Sequence, residues 1–595
     1  MGLIQLLYKI KTNFLVIGLS LIFISSLYSQ SNIGAYGLYL PFNVTMWLAV
    51  GLFVAATLLR AVNKKEFYLS RFNIFLGVFL LVIFLISLIN SSAQLVDIAI
   101  VGMAFLGVLA FVISLGQYQI NKTDLIFLLY FLCFIGFLQA IVSLFQIHDS
   151  EFWLFINIVS YAPLTIFEGV PLGSFQQVNM LATFLAFTLV AVLFLILQDD
   201  FKSKSLLHKI LLMFLVGLFA YIISLSGSRA SLLILIVGVT FLLVGSFHQV
   251  KTQQKGFFLW VLCILVGIYV AYLLPGDAPG LLSVESKVSK SLVGGDVRWL
   301  IYGLGWEQFL SSPWTGNGLG NYNQNLIDTA SSVSVTESFK NVDLSIFKHP
   351  HNEMLFWLIN SGIVVLFGIV YLAFLYIKNL AKLPNNYGLV LFSLAVMFVI
   401  PAMLSYPFTL STLHLVLLLL FIQVGNQSSS FVLKIKAGAG LSYILYTLIF
   451  TAFIMMTYSA WHTLISTKEV VYFNDRALHQ AFSNKEKVLE TIYLEHAAVN
   501  PIYEVQARLE MNVMVRKAFN EENAFEIIQF VHWANRTQYN EVDAETAVNL
   551  IKSYIFLKQP EKAVDVYGKS RMKFKDDEQY KSLGRFMLRS GLLSS

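Results

Sequence analysis

Charge and cysteine are both scarce in this sequence. Charged residues make up 12% of its 595 positions, and there are two cysteines, Cys133 and Cys263. Both cysteines fall inside apolar stretches that are far apart in the chain, which predicts packing residues and argues against a disulfide framework or a thiolate zinc site. So little charge lies outside the usual range of soluble globular proteins, and no nucleic-acid partner is expected.

Apolar residues dominate the chain instead. Hydrophobic residues make up 57% of the sequence and aromatic residues 15%, which is typical of a polytopic membrane protein. Residues 464–595 hold 18 Lys and Arg and 18 Asp and Glu, which leaves only 22 and 16 for the first 463 residues. The sequence therefore predicts a transmembrane domain over residues 1–463 and a charged soluble domain over residues 464–595.

Thirteen apolar runs are long enough to cross about 30 Å of hydrocarbon as helices. The two runs on either side of Ser226-Gly227-Ser228-Arg229 could instead form one long kinked helix. No cleavable signal peptide is evident, because the first run lacks a clear small-residue cleavage site. The predicted fold class is an all-α polytopic membrane protein with about 13 transmembrane helices. The runs begin near Asn13, Val44, Phe72, Leu95, Leu125, Val178, His208, Ser231, Phe257, Met354, Gly388, Thr409 and Leu441.

Lysine and arginine are distributed unequally between the loops predicted on the two sides of the membrane. With the N-terminus in the cytoplasm, sixteen of them fall in the short cytoplasmic segments and one, Arg229, falls in the opposite short loops. Basic residues are retained on the cytoplasmic side of membranes, so this bias predicts the orientation as well as the number of crossings. It places the long polar loop 275–352 and the domain 464–595 outside the cytoplasm.

The soluble domain has the periodicity of helices. Apolar residues recur at helical spacing in residues 524–531 and 547–552, and Gln559-Pro560-Glu561 opens another apparent helix. Paired helices of the tetratricopeptide-repeat kind are the predicted arrangement.

The loop 275–352 ends in a group of polar residues just before an apolar run. His351 should lie at the outer end of a helix, where a side chain that titrates near neutral pH suits a general base. It could equally cap the helix or hydrogen-bond the loop. His349, two residues earlier, is predicted to be structural or to orient its neighbour, and Asn352 is a candidate substrate contact. A metal held by the two imidazoles and Glu353 is the other interpretation, but no further ligand cluster completes it, so no metal is predicted.

Two arginines belong to the same predicted face. Arg229 alone is best explained as an interfacial residue whose head reaches the lipid headgroups, and Arg298 alone could pair with Asp296. Together with a histidine they suit an anionic lipid substrate, because a guanidinium binds phosphate oxygens in a bidentate fork.

Further polar residues occur at helix ends on this face. Gln177 and Asn179, in Gly173-Ser174-Phe175-Gln176-Gln177-Val178-Asn179, could bind sugar hydroxyls or cap the following helix. Tyr406, before Pro407, lies at another outer turn and is ambiguous by itself.

Taken in order, these residues resemble the O-antigen ligase and polymerase superfamily, and the domain after the last crossing resembles its bacterial protein O-oligosaccharyltransferase branch, the PglL-like enzymes. One departure is Asn360, where the superfamily pattern commonly has a glutamate. The resemblance rests on residues 173–179, Ser226-Gly227-Ser228-Arg229, Arg298-Trp299, Pro313-Trp314-Thr315-Gly316-Asn317-Gly318, and His351-Asn352 with Leu355 and Gly362.

The resemblance implies a multi-pass enzyme of the bacterial inner membrane that acts on the periplasmic face. It would transfer a preassembled oligosaccharide from an undecaprenyl-pyrophosphate carrier to Ser or Thr hydroxyls of periplasmic or pilin-like proteins, without a metal or other cofactor. His351 would be the base, Arg229 and Arg298 would bind the pyrophosphate, and Gln177 and Tyr406 would orient the substrates. The implied partners are the lipid-linked glycan, the acceptor protein and membrane lipids.

Three alternatives remain open at this stage. An O-antigen ligase acting on lipid A core, or an O-antigen polymerase, would carry out the same chemistry on another acceptor. A transporter would place polar residues in mid-span and in repeated halves. The candidate residues gather at one face instead, which favours an interfacial enzyme.

Overall fold

A computed structural model describes most of the chain. Its described residues form two compact units, with residues 14–29, 45–148 and 169–456 in one and residues 30–44 and 457–593 in the other, apart from the gaps given below. The predicted domain boundary after residue 463 stays a prediction, because one continuous helix, Ala439–Phe482, runs through it. The described residues are 14–30, 32–34, 37–90, 95–148, 169–276, 297–320, 322–332, 344, 347, 349–384, 386–427, 431–436, 438–482, 494–538 and 543–593.

Helices build the first unit, and the last helix named below continues from Thr457 into the second unit. In chain order its elements are α1 (Phe14–Ser25), α2 (Pro41–Lys64), β1 (Glu66–Ser70), α3 (Arg71–Asn90), α4 (Leu95–Leu115), α5 (Lys122–His148), α6 (Val178–Ile196), α7 (Leu206–Ser226), α8 (Arg229–Gly245), α9 (Phe247–Thr252), α10 (Gln254–Leu273), α11 (Val297–Ser311), α12 (Tyr322–Ser332), α13 (Glu353–Ser361), α14 (Ile363–Leu380), α15 (Tyr387–Leu404), α16 (Pro407–Leu410), α17 (Thr412–Asn426), β2 (Phe431–Lys436) and α18 (Ala439–Phe482).

The apolar helices follow the predicted crossings. Among the described residues, ten helices are long and apolar enough to span a membrane, and α1, α8 and α17 are shorter apolar helices. Together they occupy the thirteen predicted positions, which confirms the prediction of an all-α polytopic membrane protein. The most central helix is α6, in which 94% of the residues of an 18-residue apolar window are buried, so it faces other helices on every side.

Two details of the prediction are corrected. The tenth crossing was expected to begin near Met354, but the chain forms the short helix α13 first, breaks at Gly362 and begins the spanning helix α14 at Ile363. The break occurs because Gly362 adopts φ +66° and ψ −166°, a conformation that only glycine reaches readily. The alternative of one long helix through Ser226–Arg229 is also wrong, since Gly227 in the left-handed region ends α7 before α8 begins.

Loops that the charge distribution assigned to the cytoplasm lie together. The short strands β1 and β2 pair antiparallel, with Glu66 opposite Lys436, and this small sheet was not predicted. A cavity on the same side is lined by residues of four other connections. We call this side of the first unit, defined by Lys65, Lys122, Lys202, Lys255 and Lys382, the lysine face.

The opposite helix ends also meet. Ser174 Oγ donates to the Ser26 carbonyl over 2.7 Å, which brings the start of α6 to the end of α1. His349 and Tyr406 lie in contact at the same side, before α13 and after α15. We call this side, defined by Ser26, Ser174, Ser228, His349 and Tyr406, the histidine face. Its position outside the cytoplasm stays a prediction.

The second unit has a helical core of its own. Its further helices are α19 (Glu495–Val499), α20 (Glu504–Asn520), α21 (Ala524–Thr537), α22 (Ala544–Phe556), α23 (Pro560–Ser570) and α24 (Glu578–Arg589). Trp533, Tyr503 and Tyr580 are among its fully buried side chains. The expected helical character is confirmed, and the tetratricopeptide-repeat identity stays a prediction.

Candidate active site

His349 packs between two aromatic rings. It is 6% exposed and is stacked between Phe356 and Tyr406, with both centroid distances 4.5 Å. Its Nδ1 accepts a hydrogen bond from the His351 backbone N–H over 3.1 Å. Its Nε2 faces Glu353 Oε2 at 3.7 Å. These contacts fit the predicted orienting role of His349.

His351 is held at the mouth of α13 with a strained backbone. Its φ is +56°, a left-handed conformation that is uncommon for residues other than glycine and often occurs at functional sites. The side chain is half-buried, and its ring lies edge-on to Tyr406 at 4.9 Å. The Tyr302 hydroxyl donates to the His351 carbonyl over 3.3 Å. The backbone is thus fixed from two sides while the imidazole remains partly accessible.

Asn352 joins two helices. Its Oδ1 accepts a hydrogen bond from the Leu355 N–H over 3.0 Å, as the N-cap of α13. Its Nδ2 donates to the Met403 carbonyl over 3.0 Å, at the end of α15. Because both polar groups of the side chain hold the scaffold, the assignment of Asn352 as a substrate contact stays a prediction.

Tyr406 lies near Arg298 and contacts both histidines. Burial raises the pKa of the Tyr406 hydroxyl, the nearby Arg298 charge acts to lower it, and the Glu353 carboxylate raises it further. The ring of Tyr406 also contacts both His349 and His351. Residues from three separate parts of the chain, at the start of α11, before α13 and after α15, therefore lie close together at the histidine face.

The motif Pro313–Gly318 fixes the break between α13 and α14. Gly316 and Gly362 allow two chain segments to touch, since a Cβ on Gly362 would lie 2.3 Å from the Trp314 carbonyl group and one on Gly316 would lie 2.3 Å from Asn360. Three backbone hydrogen bonds seal this contact, from Asn317 to Ile359, from Gly318 to Asn360 and from Ile363 to Pro313. This motif therefore determines where α13, and hence the histidine pair at its mouth, is placed.

Asn360 lies buried behind the site. Its Nδ2 donates to the Phe356 carbonyl over 2.7 Å, and its Oδ1 finds no partner among the described residues. This amide occupies the position where a glutamate was expected from the resemblance. At 1% exposure it supports the helix that carries Phe356, the residue that stacks on His349.

The predicted residues Gln177 and Asn179 form a second group at the start of α6. Asn179 Oδ1 accepts a hydrogen bond from Ser228 Oγ over 2.9 Å, and Ser228 precedes Arg229. Gln177 is the N-cap residue of α6, but its side chain makes no capping hydrogen bond. The capping interpretation is therefore wrong for Gln177, and its half-buried amide stays a candidate substrate contact.

Arg229 begins α8, which packs antiparallel to α15. Gly238 lies against Met397, and Gly245 lies against Leu389. Arg229, at the start of α8, and Tyr406, just after α15, therefore both lie at the end of this helix pair that belongs to the histidine face.

Sequence reasoning missed two glutamines that build this face. Gln139 Oε1 accepts from the Ser174 N–H, and Gln146 Oε1 accepts from the Gly173 N–H, each over 2.8 Å. They hold the loop before α6 in place. Their signal was present in the sequence, because two amides seven residues apart in an apolar span lie on one helix face and need partners.

Metal ligands do not cluster in the part of the chain that the structure describes. No group of three or more His, Cys, Asp and Glu side chains there could hold a metal ion. The expectation of metal-free chemistry stays a prediction and needs a chelation experiment.

Residues 213–370 match the family model described as O-Antigen ligase, a segment that includes Arg229, Arg298, His349 and His351. No curated protein matches the chain. The match supports an enzyme that transfers lipid-linked glycans, and it leaves the acceptor and the roles of individual residues open. The predicted resemblance to the O-antigen ligase superfamily is therefore confirmed over residues 213–370, and the resemblance to its PglL-like branch stays a prediction.

Proposed function

We propose that this chain is a protein O-oligosaccharyltransferase. It would transfer a preassembled oligosaccharide from an undecaprenyl-pyrophosphate carrier to Ser or Thr hydroxyls of periplasmic or pilin-like proteins. The observation that carries this proposal is the convergence of His349, His351, Tyr406 and Arg298 at one face of a polytopic membrane protein. A base and a phosphate-binding cation are the groups that this transfer requires.

His351 is the proposed general base. The acceptor oxygen attacks the anomeric carbon while its proton moves to the imidazole of His351, and the bond between the anomeric carbon and the pyrophosphate oxygen breaks. In-line attack inverts the anomeric centre. His349 acts as a positioning residue, because its ring packs on Tyr406 and its Nδ1 holds the His351 backbone.

The arginines are proposed to bind the leaving group. Negative charge grows on the pyrophosphate as the glycosidic bond breaks, and positive charge placed there in advance stabilises the transition state. Arg298 is close enough to Tyr406 for its charge to act on the hydroxyl. Two guanidiniums can replace the divalent cation that many glycosyltransferases use, which is why no metal is expected. Tyr406 and Gln177 would orient the substrates.

A protein acceptor is favoured by the second unit. A helical body with its own buried core, formed largely by residues after Thr457, offers a surface on which a folded protein can dock. An O-antigen ligase or polymerase has a sugar acceptor and needs no such surface. The family match is nevertheless to O-Antigen ligase, so transfer to lipid A core is the second candidate.

The two candidates differ in the product that disappears when the protein is absent. Mass spectrometry of periplasmic and pilin-like proteins should be compared between cells with and without the gene for this chain. Loss of a Ser- or Thr-linked glycan is the expected result. Unchanged glycoproteins together with loss of polysaccharide on lipid A core would overturn the proposal and select the ligase.

The orientation needs a separate measurement. A reporter enzyme that is active only in the periplasm should be active when fused after Ser595 and inactive when fused near Lys382, on the lysine face. This expectation rests on the sixteen-to-one distribution of basic residues. The reverse pattern would place the histidine face in the cytoplasm, where the proposed transfer does not occur.

A further inference from the structure

A long groove lies on the outside of the helix pair α7 and α10, away from the candidate active site. Its volume is about 1410 Å³. It is lined by Lys202 and Lys255 at the lysine face and by Tyr221 and Leu274 at the histidine face. The groove therefore follows the helices over the whole thickness of the first unit.

The middle of the groove is apolar and shaped by two glycines. A Cβ on Gly267 would lie 2.4 Å from the Gly217 carbonyl oxygen, so the helices touch backbone to backbone there. Side chains on both sides of this contact stand out from the protein, including Ile210 and Phe214 on α7 and Val266 on α10, each more than half exposed. Such a channel of aliphatic and aromatic side chains fits hydrocarbon chains.

The two ends of the groove differ. At the histidine face, Tyr221 donates to the Leu274 carbonyl over 3.0 Å and is hydrogen-bonded to His148 over 2.6 Å, so the polar groups at this end already have partners. At the lysine face, four lysines line the groove, and no aspartate or glutamate is among its lining residues. These lysines are Lys202, Lys209, Lys251 and Lys255.

One acidic group near this end is already paired. The carboxylate of Asp200 pairs with Lys204 over 2.7 Å, and Lys204 does not line the groove. Both α7 and α10 begin at the lysine face and run in the same direction, so the positive ends of two helix dipoles add to the charge of the lysines. The groove thus combines a cationic mouth with an apolar channel.

We infer that this groove binds an anionic phospholipid, with its headgroup phosphate among the four lysines and its acyl chains along α7 and α10. Basic pockets between transmembrane helices at a membrane surface bind headgroups in this way. Charge complementarity selects an anionic over a zwitterionic lipid. The glycan carrier is not the proposed occupant, because its pyrophosphate is expected at the opposite face with Arg229 and Arg298.

Native mass spectrometry of the full-length, detergent-purified protein tests this inference. The protein is titrated with phosphatidylglycerol and, separately, with phosphatidylcholine of the same acyl chains. We expect phosphatidylglycerol to be retained more strongly. The double variant Lys209→Gln and Lys255→Gln should lose roughly tenfold or more of this retention, since each lysine near a phosphate contributes substantially to lipid binding. Retention of phosphatidylcholine should not change.

The matched control is the double variant Lys378→Gln and Lys382→Gln. It removes the same charge from the same face, but neither residue lines the groove, so it should bind phosphatidylglycerol like the wild type. Equal loss in both double variants would show general attraction to a basic surface and overturn the inference. Equal retention of the two lipids by the wild type would also overturn it.

A second variant tests the apolar half of the groove. Leu262 lines it and is 43% exposed, so Leu262→Trp should fill the channel without disturbing the core. We expect lower phosphatidylglycerol retention although all four lysines remain. Unchanged retention, or full competition by soluble glycerol phosphate, would show that the lysines bind a free phosphate group instead. A shift of the variant from oligomer to monomer would show that a second copy of the chain occupies the groove.

Discussion

The polar groups of the histidine face and of the lysine face differ in how far they are exposed to solvent. On the histidine face, His349 is 6% exposed and its ring lies between two others. On the lysine face, most cations are exposed, as Lys255 is. Buried polar groups depend on their geometry, whereas exposed charges are screened by water and salt. Substitutions should therefore act strongly and specifically on the first face and weakly on the second.

The largest effect is expected for His351→Ala. Removing the proposed base should lower the transfer rate by roughly 10² to 10⁴-fold, while the protein still accumulates in the membrane. His349→Ala should be milder, because it removes a positioning contact and leaves the base in place. Glycosylated acceptor in cells that express each variant at equal level measures this. An inactive His349→Ala beside an active His351→Ala would show that the roles are assigned to the wrong histidines.

The second-largest effect is expected at Gly362, the backbone break that positions His349 and His351. Gly362→Ala should destabilise the fold by at least about 1–3 kcal/mol, because alanine cannot easily adopt its conformation, and the new Cβ would meet Trp314 at 2.3 Å. Thermal unfolding of the purified variant should show this loss together with reduced transfer. Gly303→Ala is the control, since a Cβ there meets nothing within 4 Å. Wild-type stability of Gly362→Ala would contradict the proposed role of the break.

The arginines should show a smaller loss. A lysine keeps the charge of Arg229 or Arg298 but not the planar fork that binds phosphate oxygens. Charge-assisted contacts of roughly 1.5 to 3 kcal/mol correspond to about a ten- to hundredfold lower rate for Arg229→Lys and for Arg298→Lys. Transfer assays on purified variants measure it. Full activity in both would mean that the arginines only anchor the protein in the membrane.

The smallest effect is expected on the lysine face. Lys378 is exposed, and its ammonium group lies 5.8 Å from the ring of Phe374. Lys378→Gln should change stability by less than about 0.5 kcal/mol and leave transfer unaltered. Transfer and thermal unfolding are measured under the same conditions as for the arginine variants. A loss as large as theirs would remove the contrast between the two faces.

The sequence allowed the helices and the grouping of loops to be predicted. Long apolar runs have few alternatives in a membrane, because each backbone polar group must be satisfied within the segment. The alternation of basic residues then assigned certain loops to the same side of the membrane, and the structure shows that these loops lie together. Among them are the paired strands Glu66–Ser70 and Phe431–Lys436. The N-cap role of Asn352 at the start of α13 was not predicted, although asparagine prefers N-cap positions.

The contacts of the candidate site could not be predicted. The stacking of His349 on Tyr406 joins residues far apart in sequence, and no local pattern encodes such a contact. The break at Gly362 depends on a second segment, Pro313–Gly318, that packs against it. Apolar periodicity continues through the break, so the spanning helix was predicted to begin too early.

The measurement that tests the central claim most directly is transfer by the purified protein. It should be incubated with a lipid-pyrophosphate oligosaccharide and an acceptor protein in the presence of a chelator, and the acceptor should be weighed by mass spectrometry. The account predicts that one intact oligosaccharide is added to a Ser or Thr residue by the wild type and not by His351→Ala. Transfer by both proteins, or none by the wild type until a divalent metal is restored, would contradict it.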